Sequence, residues 1–177
     1  RTILNFLLLV LVVLFIAQAF AQDALTITNQ GIAYGKEGKW ELAMRELRRA
    51  IDLDPTYASA YYNLGVACEK LGRTEEAINA YEKAVSLNKE YVSAHINLAI
   101  LYDRSKKYDQ AVNEMERVLE IEPENAIAHY SLGYLYCRLK KYELAWKHAR
   151  KADELKHPEA KKLLSELNDQ TRKGKTP

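Results

Sequence analysis

Apolar residues recur along most of the chain in a pattern that itself repeats. Within each repeat they fall at i, i+3, i+4 and i+7 over two short segments, which predicts two amphipathic helices. The pattern is clearest in residues 58–88, where Leu71-Gly72-Arg73 separates the two segments. Four alanines mark the spacing, because each lies 34 residues from the last: Ala43, Ala77, Ala111 and Ala145. A period of this length indicates an all-α solenoid of stacked helix pairs.

Small residues also occupy one fixed position on the first helix of each pair. These residues are Gly31, Gly65, Ala99 and Gly133. The distance between packed helices depends on the side chains at their contact. We therefore expect the two helices of each pair to meet at these positions and at the four alanines.

The repeat resembles the tetratricopeptide repeat. The resemblance rests on Leu64-Gly65, Ala77, Tyr81 and Ala84, with prolines at the ends of two repeats, Pro55 and Pro123. It implies a right-handed α-solenoid of four helix-turn-helix repeats, at about residues 24–57, 58–91, 92–125 and 126–157. This chain departs from the family at one position, where tryptophan is replaced by Ile27, Tyr61, His95 and His129.

The C-terminal residues continue the pattern for one further helix. Residues 158–167 carry a single apolar stripe, formed by Ala160, Leu163, Leu164 and Leu167. Such a stripe predicts a capping helix, because the last repeat of a solenoid needs a polar outer cover. Residues 168–177 are polar, and we expect a disordered tail there.

The N-terminal residues have a different character. Residues 6–17 are apolar and uncharged, and Ala19-Phe20-Ala21 follows them. This is the layout of a secretory signal peptide, so we expect residues 1–21 to be removed and the protein to be exported, in the bacterial periplasm. The alternative is an uncleaved membrane anchor, because the segment approaches the span minimum of ~17 residues.

Charge and motif content narrow the function classes. The formal net charge is +2, which gives no bias towards nucleic acid or anionic membranes. Cys68 and Cys137 lie two repeats apart, too far for a disulfide.

The sequence shows no phosphate-binding loop or nucleophile motif, so we expect no enzyme, no catalytic residue and no cofactor. His95 and His129 share one repeat position but lack a third metal ligand, so a metal-dependent enzyme is the least favoured alternative.

The resemblance implies that the first helices form a concave binding face. Asparagine amides there can pair with an extended peptide backbone, apolar residues can anchor it, and basic residues on the rim favour acidic groups. Alternatively, Asn and Lys serve only solubility at these positions. Thr28 is predicted to share an exposed row with Tyr62, Ile96 and Tyr130. The predicted peptide-binding groove comprises Asn29, Lys36, Ser59, Tyr62, Asn63, Val66, Lys70, Ile96, Asn97, Ile100, Arg104, Tyr130, Tyr134 and Arg138.

One family subtype holds chaperone C-termini in a carboxylate clamp of Lys and Asn residues from successive repeats. In this chain Thr28 and Ile32 occupy the first-repeat positions of that clamp, and Ser93 and Asn97 replace its basic pair. Asn63 alone fits, so we expect no clamp of this kind.

These observations predict a non-catalytic protein–protein interaction adaptor. It would bind an extended peptide or partner segment in the concave groove, in envelope assembly or secretion, as the resemblance implies for exported members. The partner would be a protein, with no nucleic acid, and a membrane would be contacted only through an uncleaved N-terminal segment. The alternative is a membrane-anchored structural subunit that acts by self-association.

The two fates of the N-terminal segment predict different mature proteins. If the segment is cleaved after Ala21, mass spectrometry of the protein from its native host will show Gln22 as the first residue. Recovery of peptides from residues 6–17 in the mature protein would contradict cleavage and support the anchored alternative.

Overall fold

The computed structural model describes the backbone of residues 2–173 and the side chains of residues 9–13 and 23–172. Within this part of the chain every regular element is an α-helix, which confirms the all-α fold class of helix-turn-helix repeats. The helices are α1 (Thr2–Lys36), α2 (Trp40–Leu53), α3 (Ala58–Lys70), α4 (Thr74–Leu87), α5 (Val92–Arg104), α6 (Tyr108–Ile121), α7 (Ala126–Arg138), α8 (Tyr142–Glu154) and α9 (Ala160–Lys173).

Helix α1 joins the predicted signal segment to the first repeat without a break in the helix. The predicted cleavage site after Ala21 lies among side chains outside the described residues, so cleavage stays a prediction. Of the residues that the structure describes, none forms a helix that is both long enough and apolar enough to cross a membrane.

The chain divides into two compact units, which are described separately: unit 1 is residues 1–89 and unit 2 is residues 90–177. In unit 1, α1 pairs with α2 and α3 pairs with α4, and α2 packs against α3. In unit 2, α5 pairs with α6 and α7 pairs with α8, and α6 packs against α7. Helix α9 then packs against α8 and α7.

The C-terminal helix is longer than predicted. Helix α9 continues to Lys173, so the assignment of residues 168–173 to a disordered tail is wrong. The side chain of Thr171 donates to the carbonyl of Leu167 at 2.9 Å, and Leu167 is fully buried. No glycine or proline occurs between Pro158 and Gly174, so these polar residues continue the helix. Residues 174–177 lie outside the described residues.

The helices of a pair meet where their side chains are small. Gly65 is buried, and a Cβ atom added to it would lie 2.6 Å from Cε1 of Tyr81. An added Cβ at Gly31 would lie 2.8 Å from Cγ of Leu47. The four alanines of the second helices are at most 1% exposed. Close approach is therefore built into the same position of successive repeats.

The turn within each pair places one residue in the left-handed region. The residues at this position are Gly38 (φ 75°), Gly72 (φ 72°), Lys106 (φ 59°) and Lys140 (φ 58°). Around Gly72, the N–H of Arg73 donates to the Cys68 carbonyl at 2.9 Å and the N–H of Gly72 to the Glu69 carbonyl at 3.0 Å. This is the Schellman pattern that ends helices. Unit 1 thus uses glycine for the turn, and unit 2 uses lysine.

The lysine turns predict a stabilising substitution. A side chain in the left-handed region costs roughly 1–2 kcal/mol, and the greater freedom of glycine in the unfolded chain offsets part of that gain. Lys106→Gly is therefore expected to raise the free energy of unfolding by up to about 1 kcal/mol in urea denaturation. Lys106→Ala is the control, because it removes the same charge but keeps a Cβ. An equal gain in both variants would contradict the backbone explanation.

The close approach at Gly65 predicts a destabilising substitution. Gly65→Ala raises helix propensity by about 1 kcal/mol, but the new Cβ meets the ring of Tyr81, which is fully buried. Overpacking typically costs about 1–3 kcal/mol, so the variant should unfold at lower urea concentration. Lys83→Ala, an exposed change on α4, is the control and should change stability little. An unchanged or increased urea midpoint for Gly65→Ala would contradict the prediction and show that the Tyr81 ring moves aside without a cost in stability.

Candidate functional site

The predicted groove residues all lie on the first helices of the four pairs, and none of them is buried. Helix α1 carries Asn29 and Lys36, and helix α3 carries Ser59, Tyr62, Asn63, Val66 and Lys70. Helix α5 carries Ile96, Asn97, Ile100 and Arg104, and helix α7 carries Tyr130, Tyr134 and Arg138. Their role in binding stays a prediction, and the structure shows which of them share a cavity within each unit.

Unit 1 contains a groove of about 200 Å³ between α1, α2 and α3. It brings together three predicted residues, Lys36, Asn63 and Val66. It also includes Trp40, the first residue of α2. An added Cβ at Gly35 would lie 2.9 Å from Cζ3 of Trp40, so Gly35 makes room for the indole ring. The sequence could have indicated this space beside Trp40, because the other repeats hold larger residues than glycine at the Gly35 position.

Asn63 is only partly available for the predicted pairing with a peptide backbone. Its Nδ2 donates to the Ser59 carbonyl at 2.8 Å and contacts the Ser59 hydroxyl at 3.3 Å. This bond runs back one turn within α3, as short polar side chains often do in helices. A bound peptide would therefore compete with the Ser59 carbonyl for the side-chain amide of Asn63.

Thr28 does not belong to the groove, so its predicted place in an exposed row is wrong. Its side chain is 1% exposed, and its hydroxyl oxygen has no hydrogen-bond partner. Helix α1 packs against both α2 and α3, which leaves this part of α1 covered. Tyr62, Ile96 and Tyr130, at the same repeat position, are all half-buried instead.

Unit 2 contains a groove of about 210 Å³ between α5, α6 and α7. It brings together Ile100, Tyr130 and Tyr134 from the predicted set. Ala99, Asp103, Met115, Ser131 and Leu135 complete its lining. The groove is thus mainly apolar and aromatic, which is the composition that provides anchoring contacts in protein interfaces.

One cation at the rim of this groove is fixed by aromatic side chains. Arg138 Nη2 donates to the Tyr108 hydroxyl at 2.6 Å. The guanidinium lies 5.2 Å from the ring centroid of Tyr108 and 5.8 Å from that of Tyr134, within cation–π range. Burial raises the pKa of the Asp103 carboxyl above its ordinary value, although Arg138 and Arg104 oppose the shift. The predicted basic rim therefore also includes a carboxylate.

Tyr130 is held by a contact that the sequence did not indicate. Its ring stacks on His157 with the centroids 4.2 Å apart and the planes 10° from parallel. His157 lies in the turn between α8 and α9, where burial lowers its pKa. Burial also raises the pKa of Tyr130. The turn before α9 thus positions a groove residue on α7.

The histidines at the family's tryptophan position each meet the second helix of their own pair. His95 is 5% exposed, and its Nδ1 lies 2.6 Å from Oε2 of Glu114. His129 Nδ1 lies 3.0 Å from Nδ1 of His148. His148 is half-buried. Among the described residues, no three His, Cys, Asp or Glu side chains are grouped as a metal site requires.

Family comparisons match most of the repeat region. A TPR repeat model matches residues 31–72 and 104–140, and two tetratricopeptide repeat models match residues 58–91 and 80–113. All three describe a repeat, and none of them describes an enzyme. No curated protein matches the chain significantly.

Solved structures similar to this chain include two described as crystal structures of MamA. The first is 31% identical, with a TM-score of 0.72, and the alignment covers 78% of this chain and 81% of MamA. The second is 30% identical, with a TM-score of 0.70 and coverage of 81% and 79%. A third structure is the first TPR of Spaghetti (RPAP3) bound to the HSP90 peptide SRMEEVD. It is 29% identical, with a TM-score of 0.64, and the alignment covers 68% of this chain and 95% of that one.

Proposed function

Because the chain belongs to the tetratricopeptide repeat family, we propose that it is a non-catalytic adaptor that binds an extended segment of a partner protein. One observation carries the proposal most directly: Ile100, Tyr130 and Tyr134 share one groove in unit 2. The similarity to a TPR that is bound to a peptide also supports it.

The aromatic residues of this groove are held by contacts within the chain. Tyr130 stacks on His157, and Tyr134 lies beside the Arg138 guanidinium, which Tyr108 holds in place. Ordering a side chain on binding costs affinity, so side chains that are already fixed retain more of their contact energy. The groove of unit 2 is therefore suited to an apolar or aromatic side chain of the partner segment.

The partner segment is expected to differ from the peptide in the RPAP3 structure, which ends in Glu-Glu-Val-Asp. Two first-repeat positions of the carboxylate clamp hold Thr28 and Ile32 here. Thr28 is buried and so cannot contact a ligand. We therefore propose recognition through apolar contacts in the interior of a segment rather than through a terminal carboxylate.

For location, we propose export to the bacterial periplasm with a role in envelope assembly or secretion. The support is the order of residues 6–21, an apolar run followed by Ala19-Phe20-Ala21, which is the layout of a signal peptide.

The alternative is a membrane-anchored structural subunit that acts by self-association. One observation favours it: the five consecutive apolar residues with described side chains in α1 are 38–62% exposed. Contiguous exposed apolar surface indicates an interaction site. Sedimentation velocity of the chain with and without residues 1–21 separates the two proposals, since self-association through this segment requires it to be present.

The adaptor proposal predicts that groove variants lose the partner. Ile100→Ala combined with Tyr134→Ala removes two groove contacts, and central anchors of an interface are worth about 1–4 kcal/mol each. The affinity for a partner identified by cross-linking in the native host should therefore fall at least about tenfold. The binding of purified components by calorimetry measures this change.

Leu144→Ala is the matched control. Leu144 is 39% exposed and Ile100 is 37% exposed, but Leu144 lies on α8 and outside the groove. Circular dichroism should show that both variants remain folded. Equal affinity of the double variant and the parent chain would overturn the adaptor proposal for this groove.

A further inference from the structure

Two histidines face each other in the last helix pair of unit 2, His129 on α7 and His148 on α8. Their Nδ1 atoms are 3.0 Å apart, and their ring centroids are 5.2 Å apart. The centroid separation exceeds the nitrogen separation by about twice the distance from an imidazole centre to its nitrogen. The two nitrogens therefore point at each other along a nearly straight line. Such a line is the geometry of a hydrogen bond with one proton between the two nitrogens.

The other nitrogen of His129 limits where protons can sit. Nε2 of His129 lies 3.1 Å from the carbonyl oxygen of Pro123. A carbonyl can only accept, so Nε2 carries a proton. Either neutral His129 then accepts from His148 at Nδ1, or protonated His129 donates to neutral His148. In both arrangements the histidine pair has a single proton between its Nδ1 atoms, and a second proton there would break the bond.

The same geometry argues against a shared metal ion. Two imidazoles that bind one ion direct their lone pairs at a common point away from the line between the nitrogens. Here each nitrogen points at the other. The contact is therefore a bond between α7 and α8 that depends on protonation.

Charged and titratable groups lie near His148 on α6, α7 and α8. The Tyr136 ring centroid lies 5.7 Å from that of His148, and the Tyr136 hydroxyl donates to Glu116 on α6 at 2.7 Å. Burial lowers the pKa of His148 to about 4, with His129 and Lys147 adding to this shift and Glu116 opposing it. The cavity beside the histidine pair is also lined by Glu143, Lys147, Arg150, Lys151 and Glu154.

We propose that His129 and His148 form a pH-sensitive contact that holds α7 against α8 at neutral pH and separates when both imidazoles are protonated. A folded-state pKa below the ordinary value of 6.5 means that the unfolded chain binds more protons. The stabilisation is therefore complete above about pH 6.5, and it is lost as the pH falls towards the folded pKa of about 4. This proposal involves no partner and does not depend on the adaptor function.

Nuclear magnetic resonance of ¹⁵N-labelled histidine rings in the full chain tests the shared proton. Between pH 7.5 and pH 5, at most one of the two imidazoles should take up a proton, and His148 should titrate well below the ordinary histidine range. Independent titration of both rings near the ordinary pKa would overturn the proposal.

Two substitutions test the effect on stability. His148→Gln replaces the ring whose pKa is lowered with a neutral amide, so the melting temperature of this variant should fall a few degrees less than that of the parent between pH 7 and pH 5. His129→Gln removes the hydrogen-bond partner of His148 and should reduce the fall by a smaller amount, because the burial of His148 remains. His157→Gln is the control, because His157 belongs to the Tyr130 contact and should leave most of the pH dependence in place. Parallel pH profiles for the parent and both pair variants would overturn the proposal, and the ring titration of the parent decides the matter if a variant does not fold.

Discussion

The close approach of the two helices in each pair is the constraint on which the rest of this structure depends. Gly65 lies so near the Tyr81 ring that an added Cβ would be 2.6 Å away. Because this face of α3 is buried, the adjacent Val66 is left half-exposed in the groove of unit 1. Gly133 and Tyr134 have the same relation on α7. The small residue that brings the helices together thus determines which neighbouring residue faces the groove.

Much of the fold could be predicted from the sequence because the same helical pattern occurs in four successive repeats. A single helical pattern is ambiguous, but Ala43, Ala77, Ala111 and Ala145 in one register define both the helix pairs and their spacing. The boundary of α9 could not be predicted in this way, since Thr171 and its neighbours have no counterpart in an earlier repeat. The bond from Thr171 to Leu167 is local, but composition alone describes the same residues as a polar tail.

The candidate site was predictable as a set of helix faces and less so as a set of contacts. Ile100, Tyr130 and Tyr134 line one groove, and their positions on the helix faces follow from the repeat register. Contacts between residues distant in sequence could not be predicted from the repeat register. Arg138 meets Tyr108 across 30 residues, and His157 meets Tyr130 through a turn outside the repeats. Thr28 occupies the same repeat position as Tyr62, Ile96 and Tyr130. Its side chain is nevertheless buried, because α2 and α3 both pack against α1.

The turn within each pair has the same shape in both units but a different thermodynamic origin. Gly38 and Gly72 adopt the left-handed conformation without steric conflict, and their cost is the large freedom that glycine loses on folding. Lys106 and Lys140 lose less freedom and carry a steric penalty in the folded chain instead. An entropic cost grows in proportion to temperature, whereas a steric one changes little. Heating should therefore weaken the glycine turns of unit 1 more than the lysine turns of unit 2, so that the two units differ in how their stability varies with temperature.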